Sequence, residues 1–246
     1  MDKLEELKIE NEQLKKSNEN KSDIISITAH QLRTSLSALK WILKMFIDED
    51  VGKLSSEQNE LIQKAYTSNE RMLALVNDLL VLNRTEDISI PYNFQKINIL
   101  KLLEQTLFEF YGETKKKGIE LNFLKPKNDI PLLNCDEEMI RIVIQNLLEN
   151  SIKYSNQGGK VLISLDQKEN NIEISVHDNG IGVDVSDKDS IFKKFFRAPN
   201  AIEKEIVGSG LGLFTTKNII ERHNGKIWFE SAGGNGTTFF ITLPII

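Results

Sequence analysis

The sequence predicts a chain of two units, an all-α helical hairpin followed by an α+β sandwich. Three features point there. Apolar residues recur at helical spacing over roughly the first 85 positions. A polar, proline-containing break, "TEDISIPYNFQ", follows. Beyond it, helical segments interleave with short strand-like runs, the texture of a sheet covered on one face. At 246 residues the chain also exceeds the usual size of a single domain.

Taken in order, Leu4 at position a of a heptad places Leu7, Leu14, Ile25, Leu32, Leu39, Ile42 and Phe46 on a or d. That is a coiled-coil seam running into a longer helix. Asn11 and Asn18 fall at a, where buried amides fix register and favour a small, defined oligomer. No compact apolar segment precedes Leu32 for the first turns to pack on, so self-association is preferred over a lone amphipathic helix. Gly52 and a serine-rich stretch then predict a turn, with Ser55 or Ser56 as the next N-cap. A second helix over about 57–84 carries Leu61, Ala65, Met72, Leu75, Val76, Leu79 and Leu82 on one stripe. Two such hairpins close a four-helix bundle.

After the break, "INILKLLEQTLFEFYGETKKKG" reads as a helix, "IELNFL" and "PLLNCD" as strands, and "EEMIRIVIQNLLENSIKYS" as a helix. "KVLISLDQ" and "NIEISVHDN" form a hairpin joined through Lys168, Glu169 and Asn170. A glycine-rich loop, a helix near Leu211 to His223, and strands "KIWFES" and "TTFFITLP" complete an antiparallel sheet.

Composition narrows the function. The net charge of -5 and pI near 5.4 argue against a nucleic-acid surface. A single cysteine, Cys135, excludes an intrachain disulfide and suits a reducing compartment. "MDKLEELKIENEQLKK" lacks the apolar core of a secretory signal, and "ALVNDLLVL" is too short and polar to cross a bilayer, so no membrane segment is expected.

Chemistry concentrates in the second half. Asn146, Asn150 and Lys153 sit at i, i+4 and i+7 on one helix face, opposite Ile140, Ile144, Leu147 and Ser151. Amides and a lysine suit phosphate with Mg²⁺, since the cation takes amide oxygen and the ammonium meets phosphate; a solvated polar face fits the pattern equally well. In "HDNGIG", Gly180 and Gly182 let backbone approach a ligand closely, and the Asp178 carboxylate can accept from an exocyclic amine; alone, this is equally a turn. "GSGLGL", with Gly208, Gly210, Leu211 and Gly212, opens a helix where bare amides favour anions. It is neither a Rossmann nor a Walker motif. Between them, "IFKKFFRAPN" offers Phe192, Phe195 and Phe196 as apolar anchors of a lid, with Lys194 and Arg197 aimed at a terminal phosphate.

Taken together these motifs resemble the catalytic portion of bacterial two-component sensor histidine kinases, over nearly the whole chain. "ITAHQLRTSL" is similar to the H-box, "NLLENSIKYS" to the N-box, and "DNGIG", "FKKFFR" and "GSGLGL" to the G1, F and G2 boxes, in the family's order. The resemblance implies an N-terminal coiled-coil signalling helix over 1–22, a dimerisation and histidine phosphotransfer domain over 23–85, a linker over 86–95 and a GHKL-type ATP-binding domain over 96–246. It implies ATP and Mg²⁺ as cofactors, a homodimer, a response-regulator receiver domain as partner, and a cytoplasmic location below a sensor domain outside this chain. By similarity Asp178 reads adenine, Asn150 coordinates Mg²⁺, and Asn146, Lys153 and Tyr154 line the nucleotide. Gly208, Gly210 and Gly212 shape the lid, with Arg197 near the γ-phosphate.

The heptad puts His30 at f, the outermost position, and a neutral imidazole there can attack a phosphoryl group. His30 is therefore expected to be the phosphoacceptor. Hydrolysing relatives of the fold carry a glutamate at position 146 as general base; Asn146 cannot take a proton, which disfavours transfer to water. The motif departs from its family at Gln31, where an acidic residue is common, and at Ser35, where proline is usual. Thr34, one turn beyond His30, implies regulator phosphatase activity. The alternative is an ATP-responsive dimeric pseudokinase scaffold, with Gln31 marking lost chemistry.

Overall fold

The computed structural model describes residues 3–87, 90–204, 208–231 and 234–245. The chain divides into two compact units, 1–91 and 92–246.

The first unit is a pair of long antiparallel helices, α1 (Lys3–Ile47) and α2 (Ser56–Glu86). α2 begins at a complete capping box. Ser55 Oγ accepts from Gln58 N at 3.2 Å, and Gln58 Oε1 accepts from Ser55 N at 2.9 Å, so two orphan amides are satisfied reciprocally. The heptad side chains Leu4, Leu7, Asn11, Leu14 and Asn18 lie outside the described residues.

The hairpin closes only in part along the stripes that dominate the sequence: Val76 and Leu82 of the expected α2 stripe are buried. On α1 its inner edge is Ser22, Ala29, Leu36 and Leu43, which recur every seven residues. On α2 it is Ile62, Tyr66, Asn69, Leu73, Val76 and Leu80. Much of this seam is polar. Asn83 donates to the Ser22 carbonyl and hydroxyl and to Ser26 Oγ, Arg33 to Asn77, and Asn69 to the Leu36 carbonyl; Lys40 pairs with Glu70 at 2.8 Å. The a/d residues Leu32, Leu39 and Ile42 and the expected α2 stripe residues Leu61, Met72 and Leu75 are instead 41–65% exposed. Adjacent helical positions point about 100° apart, so a helix with two apolar stripes one residue out of step serves two partners.

The second unit contains β1 (Gln95–Ile97), α3 (Ile99–Lys117), β2 (Glu120–Leu124), β3 (Leu133–Cys135) and α4 (Glu137–Tyr154). After these come β4 (Lys160–Lys168), β5 (Asn171–Asp178), α5 (Pro199–Lys204), α6 (Gly212–Arg222), β6 (Lys226–Ser231) and β7 (Thr237–Pro244). The main sheet has the order β2-β4-β5-β7-β6. Strict alternation buries Ile172, Ile174 and Val176 of β5 and Phe239, Ile241 and Leu243 of β7. They join Leu103, Leu107, Ile140, Ile144, Leu147, Ile219 and Ile220 of the helices in one core.

The expectation of a wholly antiparallel sheet is corrected at β2, which pairs parallel with β4. Those strands are joined by a crossover containing α4, and a connection of that length returns the chain in the same direction. β3 leaves the main sheet and pairs with β1, a strand the sequence reading did not anticipate. The β4–β5 turn is two residues, Glu169 and Asn170, with Glu169 at φ 53.

Candidate functional site

In the hairpin, Ala29 is fully buried while His30, one residue on, is exposed. Thr34, also exposed, donates from Oγ1 to the His30 carbonyl at 3.0 Å, and Ser35 Oγ donates to the Gln31 carbonyl at 3.1 Å. The Thr34 proton is thereby engaged and its oxygen remains an acceptor. α1 runs unbroken through Ser35. Thus His30, Gln31 and Thr34 share the solvent side of one rigid helix.

In the second unit, α4 is capped by Asp136, whose carboxylate accepts from Met139 N at 3.1 Å. Its inward side is apolar and fully packed, which fixes the roll of the helix and turns Asn146, Asn150, Lys153 and Tyr154 to the other side, each half-buried. Asn146 Nδ2 donates to the Gly212 carbonyl and to Thr216 Oγ1, both at 3.3 Å, so the first turn of α6 stands against this face. Lys153 lies over the Tyr154 ring at 5.7 Å. A methyl group at Gly208 would sit 3.1 Å from Lys153 Nζ and 3.4 Å from Arg197 Nε, so the two cations converge on that glycine.

Asp178 ends β5 with 4% exposure and accepts from Gly180 N at 2.9 Å. Burial pushes its carboxyl up to about 6 from the usual 3.8, although the backbone amides of Gly180 and Thr237 favour the charged form. Gly180 must be glycine, because a β-carbon there would lie 2.3 Å from the Tyr154 carbonyl at the end of α4. The Asp178 loop and the α4 face are therefore locked together. Gly210 is equally constrained, with φ +71 and a β-carbon position 2.7 Å from the Phe195 carbonyl carbon. Asn200 Nδ2 holds the Gly182 carbonyl at 3.2 Å, and Lys204 Nζ holds Asn156 at 2.7 Å, joining α5 to the same loops.

The structure thus gathers Asn146, Asn150, Lys153, Tyr154, Asp178, Gly180, Gly182, Arg197, Gly208, Gly210, Leu211 and Gly212 along the C-terminal half of α4 and the loops bonded to it. Lys194 instead turns toward the Phe214 ring, 5.1 Å away. Phe195 is corrected as an anchor: it is 67% exposed, at φ 61, while Phe192 and Phe196 pack on the core. Reading the sequence missed Thr237 beside Asp178 and Thr216 beside Asn146, and set Ser151 on the packing side of α4, where it in fact meets Asp178. "GNGTT", directly before β7, was the available signal for Thr237.

Among the described residues, no three His, Cys, Asp or Glu side chains gather as a metal site. A divalent cation on this face would have the Asn150 amide oxygen and must draw its remaining shell from phosphate and water, a pattern Mg²⁺ accepts.

Residues 20–88 match the family model of the His Kinase A (phospho-acceptor) domain, and residues 135–246 that of the histidine kinase-, DNA gyrase B-, and HSP90-like ATPases. The chain belongs to the sensor histidine kinases. It is 30% identical over 93% of its length to the sensor histidine kinase WalK of Bacillus subtilis, covering 37% of that protein. Full-length ShkA in complex with AMPPNP superposes with a TM-score of 0.71 at 25% identity, covering 90% of this chain and 45% of that one. ThkA in complex with the response regulator protein TrrA superposes with a TM-score of 0.62 at 22% identity over the whole of this chain and 68% of that one, a likeness of fold. This histidine kinase chain spans about a third of the length of the curated relatives it matches. Among its described residues no helix is long and apolar enough to cross a membrane.

Proposed function

We propose that this chain is the catalytic portion of a protein-histidine kinase that transfers the γ-phosphoryl group of Mg·ATP to His30 and then passes it to an aspartate of a response-regulator receiver domain. The observation that carries the reading is an exposed imidazole on a rigid helix, in a chain whose ATPase-family unit has Asn146 where hydrolysing relatives keep a base. A ring nitrogen of neutral His30 forms the N–P bond while the bond from phosphorus to the β–γ bridging oxygen breaks, and ADP departs. Gln31 can hold the ring by a hydrogen bond but cannot take its proton, which leaves to solvent.

In this reading Asp178 receives the adenine amine, and Lys153 and Arg197 draw in phosphate oxygens. Asn150 would hold one position on Mg²⁺, whose charge would offset that of the phosphate chain. The backbone at Gly208, Gly210, Leu211 and Gly212 offers its amides to the phosphates, and at Gly208 and Gly210 a β-carbon would crowd its neighbours. The AMPPNP held by ShkA and the regulator held by ThkA support nucleotide and receiver domain as partners. The exposed a/d stripe of α1 and the exposed stripe of α2 support a second copy of the chain, closing a four-helix bundle. A scaffold without chemistry is disfavoured, because His30 stands exposed within the stretch that matches the phospho-acceptor domain model. The test is incubation with γ-labelled Mg·ATP, which should leave acid-labile, base-stable label on the chain.

The Thr34 oxygen, one turn from His30 and open to solvent, supports a second activity, dephosphorylation of the regulator through an oriented water. Thr34→Ala is expected to lower regulator dephosphorylation at least about tenfold while autophosphorylation changes less than about threefold, the loss of one water-holding hydrogen bond to the transition state. Assay of both reactions checks it; equal losses in both, or none, would contradict the assignment.

A further inference from the structure

At the other end of α4 and α6 from the nucleotide face, His223 is 3% exposed and bonded through both ring nitrogens. Asp136 N donates to Nε2 at 3.0 Å, and Nδ1 lies 2.8 Å from the Ile219 carbonyl. Since Nε2 must accept, Nδ1 carries the proton and donates, and the ring is held in one neutral tautomer; burial lowers its affinity for a second proton. Asp136 is itself 2% exposed, and besides capping α4 its carboxylate accepts from Asn93 N at 2.8 Å. The His223 ring packs on Tyr92 and Phe94, with centroids at 5.4 and 4.9 Å. The Arg222 guanidinium covers the Tyr92 ring at 3.8 Å.

The residues gripped here, Tyr92 to Phe94, are the first of the second unit, directly after the segment that leaves α2. The two helices that meet at His223 also meet where Asn146, in the middle of α4, bonds Gly212 at the other end of α6. α6, at 11 residues, is a rod about 16 Å long joining the two places. We propose that His223 is a positioning residue: with Asp136 it ties the incoming chain at Tyr92–Phe94 to both nucleotide-facing helices, so that nucleotide occupancy and the hold on that chain are coupled. The ties are few and buried, so a small rotation of α6 on α4 alters the Asp136 N–H bond before it disturbs the core. By reciprocity, tension on residues 92–94 changes the nucleotide site in return.

The inference rests on the nucleotide-site reading above, and amide hydrogen exchange on the full chain separates the two. The probes are the amides of Asn93 and Asp136, each a donor in the junction, with Mg²⁺ and a non-hydrolysable ATP analogue as ligand. Nucleotide is expected to slow both amides about tenfold, roughly 1.4 kcal/mol of coupling. His223→Ala should abolish that effect, and His223→Gln, whose amide oxygen can still accept from Asp136 N, should restore part of it. In His223→Ala the affinity for the ATP analogue should fall by up to about tenfold, the reciprocal of the same coupling, and recover in part in His223→Gln, a graded rescue that general destabilisation does not produce. Protection at 180–182 with no change at Asn93 and Asp136 would overturn the coupling while sparing the nucleotide site. So would a glutamine variant indistinguishable from alanine, or an affinity for the analogue left unchanged by His223→Ala. Should His223→Ala fail to fold, native chain and His223→Gln decide by the same criteria. No protection anywhere would overturn both readings.

Discussion

Asp178→Asn is expected to weaken ATP binding at least about 100-fold, because a site built to accept a buried donor loses that much when its acceptor is replaced. Gly180 N–H already claims one oxygen at 2.9 Å, so the asparagine must turn its NH₂ toward the remaining position, where a ligand amine would meet a donor. The same change has a pH signature in the nucleotide-free protein. Burial sets the folded pKa at about 6, above the usual 3.8, so the folded state holds the proton more tightly. That contribution to stability is complete below about 3.8 and is lost as pH rises through about 6; above it an ionised buried carboxylate remains, at a cost of about 3 kcal/mol. The stability difference between native and Asp178→Asn protein should therefore shift by up to that amount in the variant's favour between pH 4 and pH 8. Thermal melts across that range, paired with nucleotide titrations, check both halves. A pH-independent difference, or unchanged affinity, would sink the assignment.

A charge on the exposed stripe should have a comparably large effect on the first unit. Leu39 is 41% and Leu75 48% exposed, whereas the seam between α1 and α2 mixes Leu43, Val76 and Leu82 with Ser22, Ala29, Asn69 and Asn83. Such a seam leaves the second apolar stripe of each helix uncovered, and burying that stripe against a partner adds to the stability of both helices. Leu39→Glu combined with Leu75→Glu is therefore expected to halve the particle mass in light scattering and to lower helical content together, while native melting rises with protein concentration. A variant that stays dimeric, or a monomer as helical as the native chain, contradicts the bundle.

The dominant features of both units are legible in the sequence because they are local. The i, i+4, i+7 spacing alone sets Asn146, Asn150 and Lys153 on one face, and one heptad turns His30 outward. The inner seam of the hairpin was legible at Val76 and Leu82 but hidden elsewhere, because small and polar residues such as Ser22, Ala29 and Asn69 are masked by the stronger stripe beside them. The parallel β2–β4 pairing was hidden because direction depends on a crossover rather than on either strand. Phe195 reads as an apolar anchor, yet its left-handed backbone, set by contact with Gly210, turns it to solvent. The bond from Asp136 to His223 spans 87 residues, and no periodicity reaches so far.

The central claim is that the γ-phosphoryl group goes to His30 in preference to water. A single turnover with γ-labelled Mg·ATP, following protein-bound acid-labile phosphate and released inorganic phosphate together, tests it directly. The account predicts that label accumulates on His30, that His30→Gln loses it completely while still binding nucleotide, and that free phosphate stays low in both. Label retained by His30→Gln, or inorganic phosphate released at the rate native protein consumes ATP, would contradict it.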